Sequence, residues 1–329
     1  MTDPRTRVGF TSSIPVEVLY AGGRLPVDLN NVFIASDSPS EYIRQAEVDG
    51  FPRNCCGWIK GIYGVALKEG FGDVVAVTQG DCSFTQALME VLQYKGVSVV
   101  PFAFPFDRDP GALSLELSKL ADRFGTTLAE AERWKARLDP VRRLAHEIDR
   151  LTWEEGKVSG GENHRWLIAC SDFEGDPGRY ARGAEEFLAE AATRPSRRDR
   201  VPVAFVGVPP IVYGLHECFE EAGARIVLNE VQRQFAMPAP AATLAEQYLA
   251  YTYPYSFFER LRDIRAEVAR RGARGIVHYV QSFCFRQIED ILLRAEAGVP
   301  VLTLEGETPG AVDERTRIRI QAFVEMLGG

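Results

Sequence analysis

The chain is expected to be α/β, with two lobes of parallel sheet joined by a helical connector. Three observations lead there. Short β-branched runs alternate with helical periodicities through most of the 329 residues. The strand signal vanishes from Pro110 to about Glu155, where only helical spacing persists, and the alternation then resumes. Strands separated by single helices imply parallel sheets with right-handed crossovers.

In order, Val27 to Ile34 reads as a strand and Pro39 to Asp49 as a helix. Ile59, Ile62, Tyr63, Ala66 and Leu67 keep helical spacing, so a helix begins just after Cys56. Asp73 to Thr78 is a strand; Ser83 is placed to cap the next helix, whose apolar face includes Phe84, Leu88, Val91 and Leu92. Val97 to Phe104 returns as a strand, ended by Pro101 and Pro105. The connector carries Leu113, Leu117, Leu120 and Phe124, then Leu138, Val141, Leu144, Ile148 and Leu151. Beyond it, Val201 to Val206 is a strand, Ile211 to Ala222 a helix and Arg225 to Asn229 a strand. Gly275 to Val280 is a strand, Phe285 to Ala297 a helix, Val299 to Leu304 a strand and Asp313 to Leu327 the last helix. The expected division is an N-terminal lobe over 1–109, the connector over 110–160 and a C-terminal lobe over 161–329. No internal repeat is evident.

Composition bounds the chemistry. The chain is 46% hydrophobic and 26% charged with net charge −8, so a nucleic-acid surface is not expected, and the short basic stretch Arg194 to Arg200 reads as a solvated loop. No signal-peptide pattern and no membrane-length apolar run occurs, which points to the cytoplasm. In that compartment six cysteines are reduced thiols or metal ligands rather than disulfides.

Three of them share one context: Cys56 in NCCGWIK, Cys82 in TQGDCSF and Cys284 in QSFCFRQ. Cys82 and Cys284 follow β-branched runs, and all three precede helical patterns. In α/β proteins that is the carboxyl end of a parallel strand, where ligands bind. A thiol just before a helix is stabilised as the thiolate by free N–H groups and the dipole. Three thiols from separate segments make a metal-site pattern, one ligand short of closing an iron–sulfur cube. Cys55 is an alternative ligand; Cys170 and Cys218 read as core.

A Cys3His zinc site competes, through His278 six residues before Cys284 and His216 beside Cys218, although structural zinc sites usually use closely paired ligands. A metal-free structural protein is the blander alternative. No phosphate loop, dinucleotide fingerprint or nucleophile elbow is present. Glu305 and Glu307, in LEGE after a strand, are candidates to transfer protons or orient a partner, against the alternative of plain surface carboxylates, with Glu305 the candidate catalytic residue.

These segments resemble one family closely. VGFTSSIPVEVLYAGGRLPVDL, CGWIKG, GDCSF, GIVHYVQSFCF, GVPVLTLEGE and RTRIRIQAFVEML resemble the D-component family of 2-hydroxyacyl-CoA dehydratase subunits, benzoyl-CoA reductase subunits and double-cubane-cluster reductases. The resemblance spans nearly the whole chain and is most specific in its last fifty or so residues. It implies Rossmann-like lobes around an iron–sulfur cluster in the cleft between them, with Cys56, Cys82 and Cys284 as ligands. It implies a [4Fe-4S] cluster, or alternatively an [8Fe-9S] double cubane, in a lyase or ATP-dependent reductase.

The resemblance also implies partners. They are an ATP-hydrolysing iron–sulfur activator protein, a second D-component subunit in a heterodimer (or another copy in a homodimer), and an acyl-CoA substrate. In the dehydratases the delivered electron makes a ketyl radical of the thioester; in double-cubane members small molecules are reduced. A non-catalytic electron-transfer or accessory subunit is the third functional reading. Ser12 and Ser13 stand where some members carry a cysteine, DCS stands where others have an acidic residue after the cysteine, and YTYPYSFFERL follows the family only loosely.

Overall fold

The structure is a computed structural model describing residues 7–329. Its strands are β1 (Arg7–Phe10), β2 (Leu25–Asp28), β3 (Asp73–Gln79), β4 (Ser98–Ala103), β5 (Val201–Gly207), β6 (Val212–Tyr213), β7 (Ala224–Asn229), β8 (Gly275–Gln281), β9 (Val301–Gly306) and β10 (Gly310–Ala311). They form two four-stranded sheets, β2-β1-β3-β4 and β7-β5-β8-β9, and a two-stranded pair, β10-β6. Every pairing is parallel, as the alternation predicts.

The chain divides into two compact units. The first comprises the residues through Val141 with Ser171–Pro177 and Ala239–Ser256; the second comprises Arg142–Cys170, Gly178–Pro238 and Phe257–Gly329. Each four-stranded sheet has the same internal order, with its first strand second from one edge and its third strand beside it. The sequence shows no repeat because strand order depends on where the crossovers land, not on side-chain identity.

In the second unit alternate residues of β5 face opposite ways, as period-two geometry requires. Val203 and Phe205 join Ile226, Val277, Tyr279 and Leu304 beneath helices 215–221 and 314–328. Ala204 and Val206 join Val227, Leu228 and Ile276 beneath helices 257–271 and 290–296. Both faces are therefore covered, which explains why these strands read as continuous apolar runs.

Several expected elements are corrected. The run Val27 to Ile34 is not one strand: β2 ends at Asp28, and Leu29–Ala35 is a helix. Asp28 Oδ1 accepts from the Asn30 amide at 2.9 Å, and Leu29 and Phe33, one turn apart, are fully buried. Pro101 does not end β4 but pairs within it, opposite Ala76. Because β4 is an edge strand, the missing N–H costs no ladder bond.

Ser83 makes no side-chain cap, and Phe84 is exposed rather than on the buried face of Phe84–Tyr94. The helix expected from Ile211 is preceded by β6 and starts only at Leu215, after Gly214 takes a left-handed conformation. The helix expected over Phe285 to Ala297 is broken into a 3-10 turn, Phe285–Glu289, and an α-helix, Asp290–Glu296. Helices Gly160–Ile168, Pro177–Ala191, Glu230–Phe235, Leu244–Ala250 and Phe257–Arg271 occupy stretches to which periodicity assigns no element.

The short strap Ser171–Pro177 is fixed to the first unit by polar contacts. Asp172 Oδ2 accepts from the Asp28 amide at 2.8 Å, its carbonyl accepts from Tyr20 Oη, and Ser171 Oγ accepts from Asn31 Nδ2. Burial, and then the nearby Asp28 charge, raise the Asp172 carboxyl to about 7, and burial raises Asp28 too. The folded state thus holds a proton that an unfolded aspartate releases near pH 4. Its stabilising contribution is complete below about pH 4 and is lost as pH rises to about 7. Asp172→Asn should flatten this dependence. Between pH 5 and pH 7.5 the wild-type stability, read by urea unfolding, should change relative to the variant by on the order of 2–4 kcal/mol. An unchanged difference between the two proteins would remove the assignment.

Candidate functional site

In a sheet of this order, the loops leaving the first and third strands diverge at the carboxyl-end rim, where ligands characteristically bind. The first unit places Thr11 to Ser13 after β1 and Gly80 to Cys82 after β3 at that rim. The second unit places Val208 and Pro209 after β5 and Ser282 to Cys284 after β8. Cys82 and Cys284 therefore hold equivalent positions, each three residues beyond the glutamine that ends the third strand of its sheet.

Cys56 reaches the first rim by another route. It precedes helix Gly57–Lys68, which leads into the start of β3, so the beginning of that helix lies at the carboxyl end of the sheet. This helix packs beside Phe84–Tyr94, which descends from the same rim. Cys56 and Cys82 thus stand at the heads of two neighbouring helices.

The three candidates share one backbone feature. The carbonyl of Cys56 accepts from the Lys60 amide at 3.2 Å, that of Cys82 from Thr85 at 3.0 Å, and that of Cys284 from Gln287 at 3.1 Å. Each opens a helical turn, where a capping side chain would stand. At Cys284 that turn is a five-residue 3-10 helix, so dipole support is weaker there than at Cys56 or Cys82. Cys56 is buried, and Cys82 and Cys284 are half-buried.

Rim geometry depends on glycine in both units. Gly80 has φ of +101°, and a Cβ there would lie 2.8 Å from Pro254. Gly207 has φ of +107°, and a Cβ would lie 2.1 Å from the Tyr279 carbonyl oxygen.

Polar residues brace the Cys284 loop. Glu305, exposed at the end of β9, accepts through Oε1 from Ser282 Oγ at 2.7 Å and Gln287 Nε2 at 3.2 Å. The Glu307 carbonyl accepts from Gln281 Nε2. Buried Arg260 donates to both Glu230 oxygens at 3.1 and 2.8 Å and to Glu289 at 3.1 Å, tying the base of the rim to the turn after Cys284. The sequence reading missed Arg260 because its partners lie about thirty residues away on either side.

Cys218 and Cys170 lie in the interior, as expected. Cys218 sits in the core beneath the last helix, and buried Cys170 lies 3.2 Å from Tyr180 Oη. Burial pushes the Cys55 thiol up, with the Lys60 ammonium opposing it. Lys60 itself is buried and paired with Glu47 at 2.8 Å. His278 Nδ1 pairs with Asp290 at 2.7 Å and His216 Nε2 with Asn229 at 3.0 Å. Among the described residues no three or more His, Cys, Asp or Glu side chains gather as a metal-holding group. The candidate thiols are thus placed by topology, not as an assembled ligand set.

The first rim also carries buried polar atoms the sequence reading overlooked. Ser13 Oγ, Thr85 Oγ1 and Trp58 Nε1 have no hydrogen-bond partner among the described residues. All three are near neighbours of the candidate motifs, in TSS, CGW and CSFT, which is the signal that could have found them. Buried donors without acceptors are rare in folded proteins. Groups able to donate and thiols at helix starts are the residue types that an anionic, sulfur-rich group requires, so the chemistry of the residues present fits an iron–sulfur cluster.

No helix of the described residues is long and apolar enough to cross a membrane. A search of curated proteins returns no match. The family model described as 2-hydroxyglutaryl-CoA dehydratase, D-component, matches residues 11–327.

Proposed function

Because the chain belongs to the 2-hydroxyglutaryl-CoA dehydratase D-component family, we propose that it is an iron–sulfur subunit of an ATP-activated dehydratase or related reductase acting on an acyl-CoA. The observation that carries this reading is the equivalence of Cys82 and Cys284 within a family match spanning nearly the whole chain. In it, Cys56, Cys82 and Cys284 are the thiolate ligands of a [4Fe-4S] cluster. When bound, such a cluster supplies low-potential one-electron chemistry and, with three protein ligands, an iron open to a further ligand.

The chain's own residues prepare that chemistry. The helices after Cys56 and Cys82 direct unpaired N–H groups and positive dipole ends toward the thiolates, favouring the charged form. Glu305 has Oε1 engaged by Ser282 and Gln287, so the proton it would hold or pass is carried at Oε2. Phe283, Phe285, Ile288 and Ile291 are exposed around Cys284. An apolar surface beside a redox centre supports a protein partner, either a second family subunit or the activator that delivers the electron.

Anaerobic purification followed by iron and acid-labile sulfide analysis tests the reading. About four irons per chain are expected. About eight would favour a double cubane, and none would overturn both. A reducible cluster whose spectrum ignores every acyl-CoA would instead identify an accessory electron-transfer subunit.

A further inference from the structure

Ser13, Trp58 and Thr85 enter the first unit from three separate segments. Ser13 follows β1, Trp58 lies in the first turn after Cys56, and Thr85 lies in the first turn after Cys82. Each segment opens at the carboxyl-end rim, and in each the polar atom is buried and unpartnered among the described residues. Thr85 is completely buried and Ser13 nearly so. Trp58 is held by its ring, which meets Phe33 edge-on at 5.4 Å, leaving the indole N–H as its only polar group.

Leaving a donor buried without an acceptor costs more than its absence would. Three such donors at one rim would be an unusual burden on the polypeptide alone. All three can donate, whereas the unpartnered buried atom on the Cys284 side, Gln281 Oε1, can only accept. The Trp58 indole N–H can only donate and the two hydroxyls can rotate to donate, so a ligand offering acceptors would satisfy all three, and sulfide and thiolate sulfur are of that kind.

We infer that Ser13, Trp58 and Thr85 are positioning residues that hydrogen-bond to the sulfur atoms of the group held by Cys56 and Cys82, and so set its reduction potential. This rests on the iron–sulfur reading above. Reduction adds negative charge to the sulfurs, so donors bind the reduced state more strongly and removing one disfavours reduction. The three residues therefore decide how strong a reductant the subunit becomes once it has accepted an electron.

The test uses the anaerobically purified full chain with Thr85→Val, Trp58→Phe and Ser13→Ala made singly. Each substitution removes a donor while keeping most of the side-chain shape. Midpoint potentials are read by dye-mediated titration monitored by electron paramagnetic resonance, and urea midpoints are read on metal-free protein. The reduced-to-oxidised ratio at fixed potential should fall about tenfold for Thr85→Val and for Trp58→Phe, equivalent to about 59 mV more negative for a one-electron couple. Metal-free Thr85→Val should unfold at a higher urea concentration than wild type, because a buried unsatisfied hydroxyl has been removed. A hydroxyl with a merely structural role would show the opposite stability change and no shift in potential. Wild-type iron content with unshifted potentials in Thr85→Val and Trp58→Phe would overturn the inference while leaving the cluster intact. Absence of iron from the wild type would overturn both.

Discussion

Cys82→Ser and Cys284→Ser proteins, purified anaerobically, are expected to contain either no iron or about three of the four irons of the wild type. Serine keeps the size of the side chain but replaces a soft thiolate with a hard oxygen, which suits iron–sulfur assembly poorly. The two substitutions should have matching effects, because the residues occupy the same place in two sheets of the same order. Cys56→Ser should behave alike, since the proposed ligand set gives Cys56 the same role at the head of helix Gly57–Lys68. Cys218→Ala is the control: its thiol packs in the core under the last helix, so iron should be retained at a modest cost in stability. Full iron in Cys284→Ser would refute the ligand set.

Replacing Arg271 with methionine is expected to destabilise the protein by about 3–5 kcal/mol. The guanidinium is buried in the second unit, where it donates to both Asp149 oxygens at 2.8 and 2.5 Å, to Glu267 at 2.7 Å and to the Val227 carbonyl at 2.7 Å. It thereby joins the end of helix 128–150 to helix 257–271 and to β7. Burial pushes the Glu267 carboxyl up, but the bond from Arg270 and the charges of Arg233 and Arg271 outweigh it and hold the group at about 2. Removing Arg271 strands the Asp149 charge, and that stranded charge is the source of most of the loss. A double variant, Arg271→Met with Asp149→Leu, should recover a substantial part, since a buried pair replaced by apolar groups often costs little. If urea unfolding shows Arg271→Met within about 1 kcal/mol of wild type, the network carries no such weight.

What could be read from the amino-acid sequence was what depends on near neighbours. DVVAVTQ and GIVHYVQ announce buried parallel strands through β-branched side chains, and the cysteines that follow them inherit their position from those strands. Helix Gly57–Lys68 was visible in its own periodicity. The misreading at Val27 arose because one apolar run serves two elements, and only the capping carboxyl of Asp28 marks the change. The break after Cys284 escaped for a related reason: helical spacing alone does not separate a 3-10 turn from an α-helix.

Features joining distant segments were not legible. Asp28 and Asp172 are 144 residues apart, and nothing local to either indicates a shared environment. The segment YTYPYSFFERL gave no element pattern, yet Tyr251 and Tyr255 pack on Phe104, and Pro254 closes on Gly80 beside Cys82. The buried donors at Ser13, Trp58 and Thr85 are ordinary residues by type. Only their burial without partners distinguishes them.

The threading of the chain bears on how the protein is made. Neither compact unit is a continuous stretch, since the chain leaves the first unit and re-enters it twice. Glu17 bonds to Gln247 and Tyr248 at 2.8 Å, and Gly80 lies against Pro254. A nascent chain that has already displayed Cys56 and Cys82 must therefore wait for residues 239–256 before their surroundings can close. Folding cannot proceed one contiguous domain at a time behind the ribosome, as it does for chains whose domains are laid out in series. Fragments cut at either re-entry point would lack parts of their own core.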